Sequence, residues 1–410
     1  MSPIKAVSVS NRLSPVLGWG ACALFYLYQY FLQTTPSMMP HQLMQYFQID
    51  ALGLGHLSAW YFYAYIVVQL YAGILIDAYG VRAVLGLSSL MCAIGAVIFS
   101  VSSLFFVAEL GRVMMGAAGA TAFVGTSRFI ATQFSCQQVG FYIGATESLG
   151  YIGAIMAGTI GSVAAQVVGW KNTFYVTALI GLIVALVIFI SLEKTAAPVV
   201  QLSKGSDETI VDLLSQRRVW FYAILASMLC APIPALACLW GPYYIAHVFS
   251  FSGPTSASMN SFIFVGLIVG CPLVSALAKR YGQKAILQIG SGLSCLCLLM
   301  LIMAPSNCQM TWLCLIFFLL GLTNSVFVLT FYQVQRFTSS LKGTVISFIN
   351  MMSLLGGVLL QPLIGYMIQK KISWISLSAA SEDVYLRCVV VVVLLCLLLA
   401  FMMTCFIRKE

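Results

Sequence analysis

Charged residues are scarce in this sequence. Asp, Glu, Lys and Arg make up only 8% of its 410 residues, whereas a soluble domain carries about 25%. In addition, 61% of the residues are hydrophobic, which is more apolar surface than a soluble fold of this length can bury. The scarcity of charge therefore excludes soluble enzymes and disordered chains. The net charge of +9 then indicates membrane topology rather than nucleic-acid binding.

Metal-binding and β-barrel patterns are also missing. The 13 cysteines include no CxxC pair, and most of them lie inside apolar runs, where they behave as small hydrophobes. The 3 histidines lie near helix ends rather than at mid-depth. The apolar runs are continuous and do not alternate, which excludes a transmembrane barrel. We therefore expect an all-α membrane protein with no metal and no cofactor.

Long apolar windows fill most of the chain. A membrane-spanning helix needs about 20 apolar residues, and twelve windows of roughly this length can be drawn. They predict twelve transmembrane helices. The windows are 15–35, 54–76, 84–101, 104–126, 139–159, 173–192, 220–248, 258–278, 285–303, 310–331, 345–368 and 388–406.

Basic residues predict the orientation of these helices. Of the 20 Lys and Arg residues, 15 lie on the side of both termini and the polar segment 193–218, 4 lie on the opposite side, and Arg112 lies inside a window. The positive-inside rule then places both termini in the cytoplasm, across a bacterial inner membrane. We predict an N-terminal six-helix bundle over 1–192, a cytoplasmic linker over 193–218 and a C-terminal six-helix bundle over 219–410.

A repeat supports this division. The stretch 73–85 and the stretch 275–287 share Tyr, Gly, a basic residue, Ala and Leu in register, at an offset of 202 residues. Each copy falls in the same connection of its own half. Two parallel halves related by an axis along the membrane normal are a transporter plan.

The first copy resembles the loop signature of the major facilitator superfamily, Gly-x-Leu-x-Asp-x-x-Gly-x-Arg, with Gly73, Asp77, Gly80 and Arg82 at the signature positions. The resemblance implies that Asp77 acts as a conformational latch, with Arg82 or a neighbouring helix N-terminus as its partner. The two glycines would permit a close approach and a tight turn. The alternative is an ordinary turn with a surface ion pair. Lys279 replaces the acid in the second copy, so no equivalent latch is expected there.

Two further stretches resemble this superfamily. Residues 112–119 are similar to its fourth-helix motif, Arg-x-x-x-Gly-x-x-Gly. Residues 25–33 and 61–73 resemble the phagosomal nutrient importers of intracellular bacteria. These likenesses imply a secondary active transporter that works by alternating access.

Three charged residues lie within the apolar windows: Glu109, Arg112 and Glu147. A charge at membrane depth is costly and is usually paired and functional. The spacing predicts that Arg112 pairs with Glu147 or Glu109, and that protonation of the acid releases the arginine, which couples transport to protons. The alternative is a fixed structural salt bridge.

Polar side chains on the first, seventh, tenth and eleventh windows are candidate solute ligands. The first, fourth, seventh and tenth helices line the cavity in the superfamily that the chain resembles. For each residue the alternative is an interhelical hydrogen bond or an interfacial anchor. The candidates are Tyr26, Gln29, Gln33, Trp240, Asn324 and Asn350.

Together these features predict a proton-coupled symporter, not an enzyme, for a small polar or zwitterionic solute such as an amino acid. Its partners would be the solute, the proton and the lipid bilayer, with no nucleic acid, and it would act as a monomer. Two alternatives stay open. One is transport of siderophores or organic anions, and the other is a membrane receptor or scaffold that does not transport.

Overall fold

The computed structural model describes residues 14–193, 215–335, 342–372 and 382–407, and every regular element in these ranges is a helix. The predicted linker lies outside them between 194 and 214. The first helices are α1 Pro15–Met38, α2 Pro40–Phe47, α3 Ala51–Tyr79, α4 Val81–Val101, α5 Phe105–Gln133, α6 Cys136–Met156, α7 Ser162–Val167 and α8 Trp170–Ser191. The others are α9 Arg217–Cys230, α10 Gly241–Val248, α11 Gly253–Asn260, α12 Phe262–Tyr281, α13 Gln283–Met303, α14 Met310–Asn324, α15 Val328–Gln335, α16 Lys342–Gln369 and α17 Glu382–Cys405.

Eleven helices in the described ranges are long and apolar enough to cross a membrane. Several continue through irregular turns. The π-helical segment Ala157–Gly161 joins α6 to α7, and Ile233–Trp240 joins α9 to α10. These spans confirm an all-α membrane fold. The count of twelve stays a prediction, because α1 has 24 residues and no charge but is more polar than the other spans.

The stretches predicted to be repeats adopt the same turn. Gly80 ends α3 with φ of 82°, and Gly282 ends α12 with φ of 88°. Both backbone N–H groups donate back into the helix they close, to Ile76 and Ala278. A side chain is strained at positive φ, so glycine is needed at both turns.

The same close helix contact also occurs twice. A Cβ atom on Gly116 of α5 would lie 1.9 Å from the carbonyl oxygen of Tyr61 of α3. A Cβ atom on Gly321 of α14 would lie 1.9 Å from the carbonyl oxygen of Ile263 of α12. In each part of the chain, therefore, a glycine lets two helices pack backbone against backbone.

The parts of the chain before residue 194 and after residue 214 meet tightly at one face, which we call the Asp50 face. Gln369 donates to the carboxylate of Asp50. A Cβ atom on Gly55 would lie 2.6 Å from the carbonyl oxygen of Gln361, and one on Gly365 would lie 2.3 Å from that of Ala51. All these contacts lie near the start of α3 and the end of α16. The opposite ends of the helices, where Gly80 lies, form what we call the Gly80 face.

Candidate solute and coupling site

Glu147 lies deep in the helix bundle, where its carboxylate faces other helices. It is eleven residues from the start of α6 at Cys136, which is about 16 Å along the helix axis. The hydroxyl of Tyr26 on α1 donates to Oε1 of Glu147 at 3.1 Å. Glu147 is nevertheless partly exposed, between the buried residues Thr146 and Gly150. Glu147 is therefore not fully covered by its neighbours, although its carboxylate is bonded to α1.

A row of aromatic rings begins at this carboxylate. Tyr26 and Tyr30 pack edge to face with their centroids 5.1 Å apart, and Tyr30 packs on Tyr151 at 5.7 Å. Tyr151 in turn stacks on Phe264 of α12 at 6.2 Å, so the rings connect the two parts of the chain. We call Tyr26, Tyr30, Tyr151 and Phe264 the aromatic cage.

The fit between these rings depends on Gly150. A Cβ atom there would lie 2.7 Å from a ring carbon of Tyr26 and 2.9 Å from one of Tyr30.

Arg112 does not join this site. Among the described side chains Arg112 forms no ion pair with Glu147 or Glu109, so the expected pairing is not present. Nη1 of Arg112 donates to the carbonyl oxygen of Leu32 at 2.7 Å and to Oγ1 of Thr35 at 3.2 Å.

The reason for this placement is a backbone hydrogen bond that is missing near the end of α1. Pro36 lies inside the helix and has no N–H to offer the carbonyl of Leu32. The hydroxyl of Thr35, at 2.7 Å, and the guanidinium of Arg112 supply donors in its place. Nη2 of Arg112 also donates to the carbonyl of Gln33 at 3.3 Å, and the guanidinium lies 4.7 Å from the ring centre of Tyr61. Arg112 thus stabilises the broken end of α1 as a fully buried cation.

Gln29 lies between Tyr26 and Tyr30 on α1, and Gln33 lies one turn beyond Tyr30. Oε1 of Gln29 accepts from the hydroxyl of Tyr61 at 2.8 Å, while its Nε2 has no partner. Nε2 of Gln33 contacts Sγ of Cys238 at 3.7 Å. Both glutamines are buried. They therefore link α1 to α3 and to the π-helical segment Ile233–Trp240.

Glu109 lies near the Asp50 face. Helix α5 begins at Phe105, so Glu109 is in its second turn, closer to the membrane surface than the apolar window suggested. Its carboxylate is partly exposed and accepts from Nε1 of Trp60 at 3.0 Å. The structure does not bring Glu109 together with Glu147.

Two of the candidate solute ligands bind backbone carbonyls instead. Nε1 of Trp240 donates to the carbonyl of Gln361 at 2.9 Å, and Nδ2 of Asn324 donates to that of Leu229 at 2.8 Å. Gln361, which the sequence did not indicate, donates to the carbonyl of Pro234 at 2.7 Å. These side chains are buried and stabilise the irregular backbone of the π-helical segment and its approach. Asn350 on α16 is partly exposed.

The predicted latch has a different partner. Oδ1 of Asp77 lies 3.0 Å from Nη2 of Arg128, at the end of α5. Arg82 does not pair with Asp77, because its guanidinium donates to the carbonyl of Phe189 at 3.1 and 2.8 Å. Gly80 makes the expected turn, but Gly73 has no neighbouring atom within 4 Å of a built Cβ. In this conformation Gly73 permits no close approach.

Comparison with known proteins identifies the family. The family model of the Major Facilitator Superfamily matches residues 20–361. The chain belongs to this superfamily. The lysosomal dipeptide transporter MFSD1 of Mus musculus is 23% identical over 278 residues, which are 63% of this chain and 60% of that protein. The match therefore spans less than two thirds of this curated relative.

Other superfamily members show similar likeness. The probable galactarate/D-glucarate transporter GudP of Escherichia coli (strain K12) is 22% identical over 191 residues, 45% of this chain and 42% of that protein. The solved nucleoside transporter NupG has a TM-score of 0.75 at 15% identity and covers 96% of this chain and 99% of its own. A bacterial homolog of the human lysosomal transporter Spinster, inward-facing and unoccupied, has a TM-score of 0.75 at 14% identity, with coverages of 95% and 96%. These structures show the fold.

The sequence analysis did not single out several residues that lie at the candidate site or at the latch. Tyr151 lies four residues after Glu147 and hence on the same helix face, which is a signal that could have found it. Phe264 and Arg128 carry no such local signal, because they approach the site or the latch from distant helices.

Proposed function

We propose that this superfamily transporter moves a small polar solute by alternating access through the space at Glu147. The observation that carries the proposal is the tight closure of the Asp50 face above a partly exposed carboxylate. A solute at Glu147 would therefore exchange through the Gly80 face in this conformation. Motion of the two halves about the site would open the opposite side. On the predicted topology the Gly80 face is cytoplasmic, with both termini, and the membrane is a bacterial inner membrane.

We further propose that Glu147 carries the coupling proton. A carboxylate at this depth is costly when charged, and no Lys or Arg with a described side chain lies within 4.0 Å of it. Its hydrogen bond from Tyr26 leaves the remaining oxygen lone pairs free for a proton.

Glu147→Gln tests this assignment. The variant should abolish accumulation driven by a proton gradient and keep solute exchange at saturating solute, because exchange needs no net proton movement. Both are measured in proteoliposomes. If Glu147→Gln still accumulates solute against its gradient, the proton is carried elsewhere and Glu109 is the next acid to test.

The solute class follows from the groups around the site. Aromatic rings and one acid suit a small zwitterionic or amine-bearing nutrient, such as an amino acid or a dipeptide, the solute named for the MFSD1 relatives. An organic anion, as named for GudP, is less well matched, because Arg112 is fully buried and engaged by α1. Uptake of an amino-acid and dipeptide panel, with and without a pH gradient, tests the class.

The Asp77–Arg128 pair is the proposed latch between conformations. Both side chains are near 40% exposed, so the pair adds only about 0–1 kcal/mol to stability. A role in switching would explain its position at the Gly80 face.

We propose that the protein acts as a monomer within the bilayer.

A further inference from the structure

We propose that Glu147 and the aromatic cage bind the cationic amine group of the solute. The inference rests on the proposed transport function and specifies the chemical group that the central site recognises. It follows from the charge, exposure and ring geometry around this one carboxylate.

The first step is the charge balance. Glu147 accepts one hydrogen bond, from the neutral hydroxyl of Tyr26. Within the described side chains no Lys or Arg forms an ion pair with it. The nearest buried cation on α5, Arg112, is held by the carbonyls of Leu32 and Gln33. When Glu147 is ionised, the site therefore presents negative charge without a counter-ion from the protein, and a cation is its complement.

The second step is the direction in which the carboxylate faces. Tyr26 on α1 donates to Glu147 on α6, and the ring of Tyr26 is connected through Tyr30 and Tyr151 to Phe264 of α12. Glu147 thus points toward α1, on the side where the rings connect the two parts of the chain. Glu147 and Tyr30 are both partly exposed, so neither side chain is fully covered by the protein.

The third step is the ring arrangement. Successive ring centres in the aromatic cage lie 5.1, 5.7 and 6.2 Å apart. Aromatic faces attract ammonium groups within about 6 Å, and clusters of such rings bind amines and quaternary ammonium ions. A neutral polar solute can donate a hydrogen bond to the carboxylate but gains no ion pair from it, and an anion would be repelled by it.

The fourth step is the consequence for coupling. One carboxylate holds either a proton or an ammonium group. The two ligands would therefore compete at Glu147. The proton coupling proposed above would then take the form of exchange of the cation for a proton, in place of the symport that the sequence predicts.

Matched probes test the proposal on the purified full-length protein in detergent. Choline is compared with 3,3-dimethylbutan-1-ol, its uncharged carbon isostere, and the cation alanyl-alanine amide with its uncharged N-acetyl derivative, by isothermal titration calorimetry. We expect at least one cationic member to bind about tenfold more tightly than its neutral partner. The preference should fall to about twofold or less in Glu147→Gln. If neither cation is preferred, or if the preference survives in Glu147→Gln, the proposal is overturned.

Controls separate the site from the fold. Glu109→Gln removes a carboxylate that is bonded to Trp60 outside the cage, and it should keep the preference. If Glu147→Gln does not fold, Tyr30→Leu replaces it, because this change removes a partly exposed cage ring and leaves an apolar side chain. Tyr63→Leu, outside the cage and packed on Trp60, is its matched control. A preference unchanged in Tyr30→Leu contradicts the proposal.

Solute counterflow in proteoliposomes distinguishes the two proposals. If the preferred cation binds but is not exchanged across the membrane, the transport proposal fails and the amine site stands. If neutral solutes are exchanged equally well by the wild type and Glu147→Gln, and no cation is preferred, the amine site fails and the transporter stands.

Discussion

The role of Arg112 as a donor to the broken end of α1 makes a quantitative prediction. Arg112→Met removes hydrogen bonds to the carbonyls of Leu32 and Gln33 and to the hydroxyl of Thr35. A buried carbonyl that loses its donor costs about 1–3 kcal/mol. The loss is moderated here, because Thr35 also donates to Leu32 and because methionine has no charge to desolvate. We expect Arg112→Met to lower the free energy of unfolding by about 1–3 kcal/mol.

Pro36→Ala should partly rescue this variant. An alanine at position 36 has the N–H that Pro36 lacks, and this group can reach the carbonyl of Leu32 four residues earlier. In the wild type, Leu32 already has two side-chain donors, so Pro36→Ala alone should gain little. The coupling energy between the two substitutions should be about 1 kcal/mol. In a Thr35→Val background, where Arg112 is the remaining side-chain donor to Leu32, the coupling energy should rise to about 2 kcal/mol.

Equilibrium unfolding in mixed micelles, followed by circular dichroism, measures the cycle. Arg82→Met is the matched control, because Arg82 also donates to a backbone carbonyl, that of Phe189, but lies far from Pro36. Its effect should add to that of Pro36→Ala. A coupling below about 0.5 kcal/mol between Arg112→Met and Pro36→Ala would refute the donor role. Strong coupling of Arg112→Met to Glu147→Gln would instead support the ion pair that was expected from the sequence.

Three further predictions concern the latch, the packing and the topology. Asp77→Asn and Arg128→Gln should each remove most transport while changing stability by only about 0–1 kcal/mol, since their pair is half-exposed; Lys279→Ala should be mild, and near-normal uptake in Asp77→Asn would contradict the latch. Gly116→Ala and Gly321→Ala should each destabilise the protein by roughly the several kcal/mol that overpacking can cost, because a Cβ would lie 1.9 Å from a carbonyl oxygen. Gly20→Ala is the control and should be tolerated in the same unfolding assay, because no atom lies within 4 Å of a Cβ there. A reporter that is active only in the periplasm should be silent when fused after Glu410, and activity there would contradict the predicted topology.

Local patterns in the sequence were enough for the membrane class, the repeat and the two glycine turns. Continuous apolar windows indicate helices in lipid because a spanning backbone must satisfy its own hydrogen bonds. Gly80 and Gly282 are needed where φ is positive. The sequence also indicated the depth of Glu147 in the membrane, since this residue lies well inside its helix in the structure.

The partners of the polar groups were decided by tertiary structure. Arg112 hydrogen-bonds to residues 77 to 80 positions away, on α1, and Asp77 reaches Arg128 rather than the nearby Arg82. Which donor meets which acceptor depends on how each helix is rotated and how deep it lies, and no local pattern contains either quantity. The sequence therefore identified a transporter with buried charges, whereas helix packing determined that Arg112 bonds to the end of α1 beside Pro36 and not to Glu147.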